Sequence, residues 1–269
     1  MVEKVEKNFK GVKLSPKDIR DYKFKKKAVM AIEFPESFEL KKVAKIKNQG
    51  SVGSCVAHAT SSILEYHNGN SQEMSTNFIY GIHKMLYRSD GPGMYLNEAC
   101  RIIKNYGDMV YEDCPGNTEV TRVYGMANSS FNDIDKRTRA ERYKIKCFTN
   151  LRRPNDIKYA LMNHGPVLAT VAWYKSYTVD PATGIIVFDN TSELGYHATV
   201  IYGWNEIGWL CQNSWGRSWG CRGYYILPYD SGPTEAYSIV KADDIQDDVK
   251  KPCLLTRKLS GIINKLLNK

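Results

Sequence analysis

Nowhere in the 269 residues is there an unbroken run of about 18 apolar residues, so no helix is expected to cross a bilayer. The first 18 residues, MVEKVEKNFKGVKLSPKD, lack the apolar centre of a secretory signal. The expectation is a cytoplasmic protein, or one released without a classical signal peptide; a mature chain already stripped of its signal fits as well. No CxxC pair occurs, which argues against a zinc knuckle or a thioredoxin-type site. Seven cysteines, an odd number, with no export signal make unbridged thiols the expectation. No internal repeat is visible. The body also lacks excess charge. The formal net charge is +9, but residues 1–30 carry +6, residues 241–269 carry +3, and the stretch between is neutral. A nucleic-acid groove on the body is therefore not expected.

What is present is ordinary globular material, 42% hydrophobic and 25% charged. Residues 1–35 are polar, lysine-rich and weakly periodic, and look like a leader segment. Helices are expected over Cys55–Tyr66, Ser75–Tyr87, Leu96–Tyr106 and Pro154–Asn163, the last with proline in its first turn. The second half changes character. Pro166–Trp173, Gly184–Phe188, His197–Tyr202, Gly208–Asn213 and Gly223–Leu227 are short, rich in β-branched and aromatic residues and separated by turns, as in an antiparallel sheet. Helices first and strands second predict an α+β architecture of two lobes with a cleft between them. The expected divisions are a leader at 1–35, a catalytic domain at 36–240 and a basic extension at 241–269.

The stretch Asn48–Ala59 reads NQGSVGSCVAHA. Gly50 and Gly53 allow a tight turn, Ser54 suits a helix N-cap, and Cys55 falls in the first helical turn. Unpaired amides and the helix dipole there favour an anion and should lower the thiol pKa. By itself this cysteine fits a small buried packing residue equally well. A second stretch, beginning GYHATVIYGWNEIGWLCQNSWG, supplies His197 and, sixteen residues later, Asn213. A thiolate nucleophile needs an imidazole to hold a proton and deliver it to the leaving amine. The imidazole needs an orienting acceptor, which an Asn carbonyl can provide. Trp215 could shield that hydrogen bond from water.

These two stretches, with the junction ALMNHGPV at Ala160–Val167, resemble the papain family of cysteine peptidases over roughly residues 40–230. The intervals from Cys55, 142 residues to His197 and 158 to Asn213, are close to the family pattern. The resemblance implies a papain-like two-lobe fold with a helical N-terminal lobe and an antiparallel β-sheet C-terminal lobe. It makes Cys55 the nucleophile, His197 the base and Asn213 its orienting partner, with Trp215 supporting. Gln49 and the Cys55 amide would form the oxyanion hole. Gly93 and Met94 would pair with an extended peptide, and Leu96, Thr170 and Ala198 would line the pocket for the second residue before the scissile bond. Where secreted relatives carry a Cys three residues before the nucleophile this chain has Val52, and Val56 and His58 replace the usual Trp and Phe. With NQGSVGSC, the run Asn77–Tyr80 and the final Pro228–Tyr229, these departures resemble the bacterial, xylellain-like branch more than lysosomal cathepsins. His58 and His164 are expected to be structural.

The implied reaction is peptide-bond hydrolysis through a thioester. It needs no metal or organic cofactor, and its partner is a peptide or protein substrate. The leader is expected to cross the cleft and inhibit, so its deletion should raise activity. Lys250–Lys269 reads as a basic amphipathic helix that packs on the chain's own body or makes weak contact with a membrane or a protein. A monomer is expected. Three rival readings remain: a catalytically silent binding module of the same fold, an acyl or amide transferase using the same dyad, and a membrane-associated adaptor defined by its basic tail.

Overall fold

A computed structural model of the chain describes residues 11–16, 22–23, 33–89, 91–116 and 128–241. The C-terminal segment expected to form a helix lies outside the described residues. Five helices are named here: α1 (Cys55–His67), α2 (Thr76–Tyr87), α3 (Leu96–Asn105), α4 (Ile134–Ala140) and α5 (Pro154–His164). Three short strands precede or separate the early helices: β1 (Val12–Lys13), β2 (Tyr22–Lys23) and β3 (Phe38–Glu39), with β4 (Met94–Tyr95) leading directly into α3. The remainder are β5 (Cys147–Leu151), β6 (Val167–Tyr174), β7 (Thr178–Val179), β8 (Ile186–Val187), β9 (Leu194–Trp204), β10 (Gly208–Gln212), β11 (Tyr224–Pro228) and β12 (Glu235–Val240). This is the expected α+β architecture, helices packed on a largely antiparallel sheet with two hydrophobic cores. Among the described residues, no helix is long and apolar enough to span a membrane.

The main sheet runs β11-β10-β9-β6-β12-β5-β2, with β3 added beside β9. Every pairing in it is antiparallel except β2 with β5. Side chains alternate faces along a strand, and both faces of β6 and β9 are covered. Leu168, Ala198 and Val200 join the helical core around α1, while Val167, Ala169, Val171 and Ile201 join a second core rich in tryptophan. Burial on both sides explains why these strands read as nearly continuous apolar runs. α1 is the central helix, with every residue from Cys55 to Glu65 buried. It packs on β9, which carries the Cys55 end of the helix to the boundary between the two cores.

Three expectations change. Ser54 makes no side-chain cap bond; its hydroxyl lies 3.2 Å from His58 Nδ1 instead. β5 and β12, which pair with each other, were not anticipated, because CFTNL and EAYSIV are short and flanked by polar residues. The leader is also less detached than its composition suggests. β1 pairs in parallel with β4, Val12 is buried, and β2 extends the main sheet.

Candidate active site

Cys55 stands at the first position of α1, and the amides of Ala198, Val56 and Cys55 itself point to its thiol. The residue before Ala198 is His197, so the sulfur lies against the strand that carries the imidazole. His197 Nε2 donates to Asn213 Oδ1 at 2.7 Å. The Ser214 amide donates to the same oxygen at 2.7 Å, which fixes the orientation of the Asn213 amide. An Nε2 that donates leaves Nδ1 unprotonated in the neutral ring, and buried Nδ1 has no hydrogen-bond partner among the described residues. Trp215 covers the ring at a centroid distance of 4.3 Å and Trp173 meets it edge-on at 5.9 Å. Thus Asn213 and Trp215 each contact His197 directly, as does Trp173, which the sequence motifs did not single out. Trp173 is His197's neighbour across β6 and β9, where Val171 pairs with His197 and Trp173 with Gly195. Only that register reveals it.

Gln49 is buried beside the same loop. Its Nε2 donates to the Val52 carbonyl at 2.9 Å, leaving one N–H, and its Oε1 accepts from Ser214 Oγ at 2.7 Å. The backbone repeats the link: Gln49 N–H to Ser214 O at 2.9 Å, an Asn48–Trp215 bridge, and Gly216 N–H to Lys47 O at 2.9 Å. The segment before Cys55 is therefore stitched to the segment after Asn213. Ser214 was missed because a serine inside a motif carries no signal of what it touches.

Gly93 and Met94 lie where β4 begins, and Leu96 opens α3. Met94, Leu96 and Ala198 share one apolar cluster with Cys55 and Val12. Thr170 is the cross-strand partner of Ala198, and its buried hydroxyl has no partner among the described residues. The β4 edge is occupied by the leader. Met94 N–H donates to the Gly11 carbonyl at 3.3 Å, and Gly11 lies so close to Cys55 that a Cβ there would fall 2.5 Å from its Sγ. Ser15 continues the contact, donating its amide to Glu235 at 3.3 Å and accepting from the Asn97 amide at 3.4 Å.

Burial reverses the expected thiol acidity. Burial pushes Cys55 up to about 12, outweighing the amides that favour the anion. Burial likewise holds His197 down to about 4 despite Asn213. Burial thus favours the neutral form of both groups. His58 donates Nδ1–H to the Ser54 carbonyl at 3.0 Å, and His164 Nδ1 lies 3.1 Å from Ser238 Oγ, so both hold packing contacts. None of the six described cysteines is in a disulfide, and the described residues hold no cluster of three or more metal-ligating side chains.

A thiol at a helix start, an imidazole with its unprotonated nitrogen bare, an amide orienting the other nitrogen and a second amide nearby make up the equipment of a cysteine-nucleophile hydrolase. Residues 34–241 match the family described as papain family cysteine protease. The chain belongs to that family. It is 27% identical over 212 residues to a cysteine protease of Blomia tropicalis, covering 71% of this chain and 60% of that one. It is 26% identical over 262 residues to an uncharacterised peptidase C1-like protein of Acanthamoeba polyphaga mimivirus, covering 84% and 82%. Among solved structures it is similar to xylellain, a cysteine protease from Xylella fastidiosa, with a TM-score of 0.71, 22% identity and coverage of 87% and 96%. ProCathepsin B S9 from Trypanosoma congolense follows at a TM-score of 0.65, 17% identity and coverage of 86% of each chain.

Proposed function

We propose that this chain hydrolyses peptide bonds, with Cys55 as nucleophile, and that its N-terminal segment holds it inactive. His197 Nδ1 takes the thiol proton and Cys55 attacks the scissile carbonyl. The remaining Gln49 Nε2–H and the Cys55 amide receive the oxyanion. His197 passes its proton to the leaving amine as the tetrahedral intermediate collapses to a thioester. It then takes a proton from the water that hydrolyses that ester. Asn213 keeps the ring in the tautomer this exchange requires. The substrate's residues before the scissile bond pair with Gly93–Met94, and the second of them enters the pocket of Leu96, Thr170 and Ala198.

The single observation that carries the inhibitory part is the position of Gly11. It packs against the thiol, and its carbonyl uses the edge that a substrate needs. A Cβ there meets Cys55 Sγ at 2.5 Å and the Gly53 backbone at 3.2 Å, so any side chain forces a shift. The test is the full-length chain with Gly11→Val, assayed on a quenched peptide library beside the wild type. The added side chain collides with Cys55 and Gly53, so the strand lifts and turnover rises at least about ten-fold, the change expected for about 1.4 kcal/mol of lost contact. Unchanged or lower turnover in a folded Gly11→Val protein contradicts inhibition by the leader.

A further inference from the structure

Beside the segment that carries Gln49 lies a cavity of about 690 Å³. Its walls come from residues 45–49, from His58 and Glu65 on α1, and from the turn between α1 and α2. The reaction at Cys55 makes no use of this space. Three charged side chains meet inside it. Lys47 Nζ lies 2.6 Å from Glu65 Oε1 and 3.6 Å from Glu73 Oε1, and donates to the Met74 carbonyl at 3.4 Å. These acceptors match the three N–H groups of an ammonium, so Lys47 has no donor to spare for a ligand.

Two acceptors remain open. Glu65 Oε1 also accepts from the Met74 amide at 2.8 Å, while Glu65 Oε2 accepts nothing among the described residues. His58 spends its Nδ1–H on the Ser54 carbonyl at 3.0 Å, so its Nε2 keeps a lone pair, and that nitrogen too has no partner among the described residues. Burial holds the ring down to about 4, so it is neutral near pH 7. Glu65 is 5% exposed and His58 9%, and both line the cavity. Their open atoms are not sealed inside the protein, so they face that space. Burial raises the Glu65 carboxyl above its ordinary value and Lys47 offsets only part of this, which leaves the carboxylate short of positive charge. The interior therefore offers acceptors to a ligand and no spare donor. Farther out, Lys45 stands exposed, and Ile46 and Tyr111 give the wall its apolar area.

We infer that this cavity is a second binding site, and that it takes a short peptide with a free amino end. The ligand's ammonium donates to His58 Nε2 and Glu65 Oε2, with Glu73 beside it. An apolar side chain lies along Ile46 and Tyr111, and the terminal carboxylate faces Lys45. An α-amino group is mostly protonated near pH 7, as this arrangement requires. The volume falls in the range of small-molecule sites and holds a dipeptide or slightly more. His58 stands where the family usually carries Phe, and a phenyl ring cannot accept the ammonium's hydrogen bond, so the site depends on this chain's own sequence. Peptide cleavage releases new amino ends of this kind, but the binding itself does not rest on the peptidase reading.

The test is calorimetric titration of the full-length wild-type chain with leucyl-leucine and with its N-acetyl derivative, beside nitrogen NMR of labelled histidine in the same mixtures. Leucyl-leucine is expected to bind, and the acetylated form to bind at least about ten-fold more weakly, because it lacks the charge-assisted donor. The His58 Nε2 resonance should move with leucyl-leucine and stay with the acetylated form. His58→Phe should weaken binding about ten-fold, and Glu73→Gln, at an exposed carboxylate, about three-fold. If His58→Phe fails to fold, Glu73→Gln and the His58 resonance in the wild type decide the matter. No binding at millimolar leucyl-leucine overturns the inference, as do equal affinity for the acetylated form and an unmoved His58 resonance. Binding that Cys55→Ala weakens and Glu73→Gln leaves unchanged puts the dipeptide in the catalytic cleft and overturns it as well.

Discussion

His197 has one nitrogen committed to Asn213 and the other bare, between two tryptophans. That division of labour depends on residues with no reacting atoms of their own. Gln49 illustrates the dependence: Val52 and Ser214 use one N–H and the carbonyl of its amide, which leaves a single N–H aimed by elimination. Gln49→Ala should therefore lower kcat by about 10²–10³ while changing KM little, because the donor acts on the oxyanion and not on the bound peptide. Steady-state kinetics in the Gly11→Val chain checks this, and an effect confined to KM contradicts it. Residue types at this scale were legible in the sequence because the chemistry restricts them: a thiol, an imidazole and two amides at spacings the family shares. The acidity of Cys55 was not legible. The helix start argues for a low thiol pKa, and only the fold shows that burial outweighs it.

Among the elements, β4 and the loop before it present the edge where the leader lies. Lys84 on α2 secures that loop. Its buried ammonium donates to the Gly93 carbonyl at 2.6 Å and to the Gly91 carbonyl and Ser89 Oγ, and lies 4.9 Å from the Tyr80 ring. Pro92 and Gly93 in turn lie close enough to Gly53 that a Cβ there would meet them at 3.1 and 3.3 Å. Replacing Lys84 by Met removes the donors but keeps much of the length. It should raise KM for extended peptides about ten-fold with kcat within about two-fold, since charge-assisted hydrogen bonds contribute about 1.5–3 kcal/mol. Lys84→Arg should restore part of the loss, and equal falls in kcat and kcat/KM would contradict a positioning role. The helices α1, α2, α3 and α5 and most strands of the second half were legible from periodicity and turn residues. β1, β2, β5 and β12 were not. Each is two to six residues long and exists through a distant partner, and window-based patterns contain no such pairing.

For the whole molecule, the covered site ties stability to pH from both sides. His58 and His197 are held at about 4 against 6.5 in the unfolded chain, so between those values the unfolded state takes up protons that the folded state refuses. Stability contributed by their neutral forms is present above 6.5 and is lost as pH falls toward 4. Cys55 behaves oppositely: held at about 12 against 9.0, it contributes stability below 9.0 that is lost as pH rises toward 12. Urea midpoints should therefore be highest between 6.5 and 9.0 and fall on either side. His58→Asn should reduce the acid slope, to which His58, His83 and His197 all contribute because burial lowers each; an unchanged slope would contradict the assignment. The central claim remains that Cys55 forms a thioester with the substrate. Its most direct test is intact-mass measurement of the full-length Gly11→Val chain mixed rapidly with a peptide ester, beside the same chain carrying Cys55→Ala. The account predicts an added acyl mass located on Cys55, released as acid with time and absent from the Cys55→Ala protein. An acyl mass on another residue, or equal turnover by both proteins with no adduct, would contradict it.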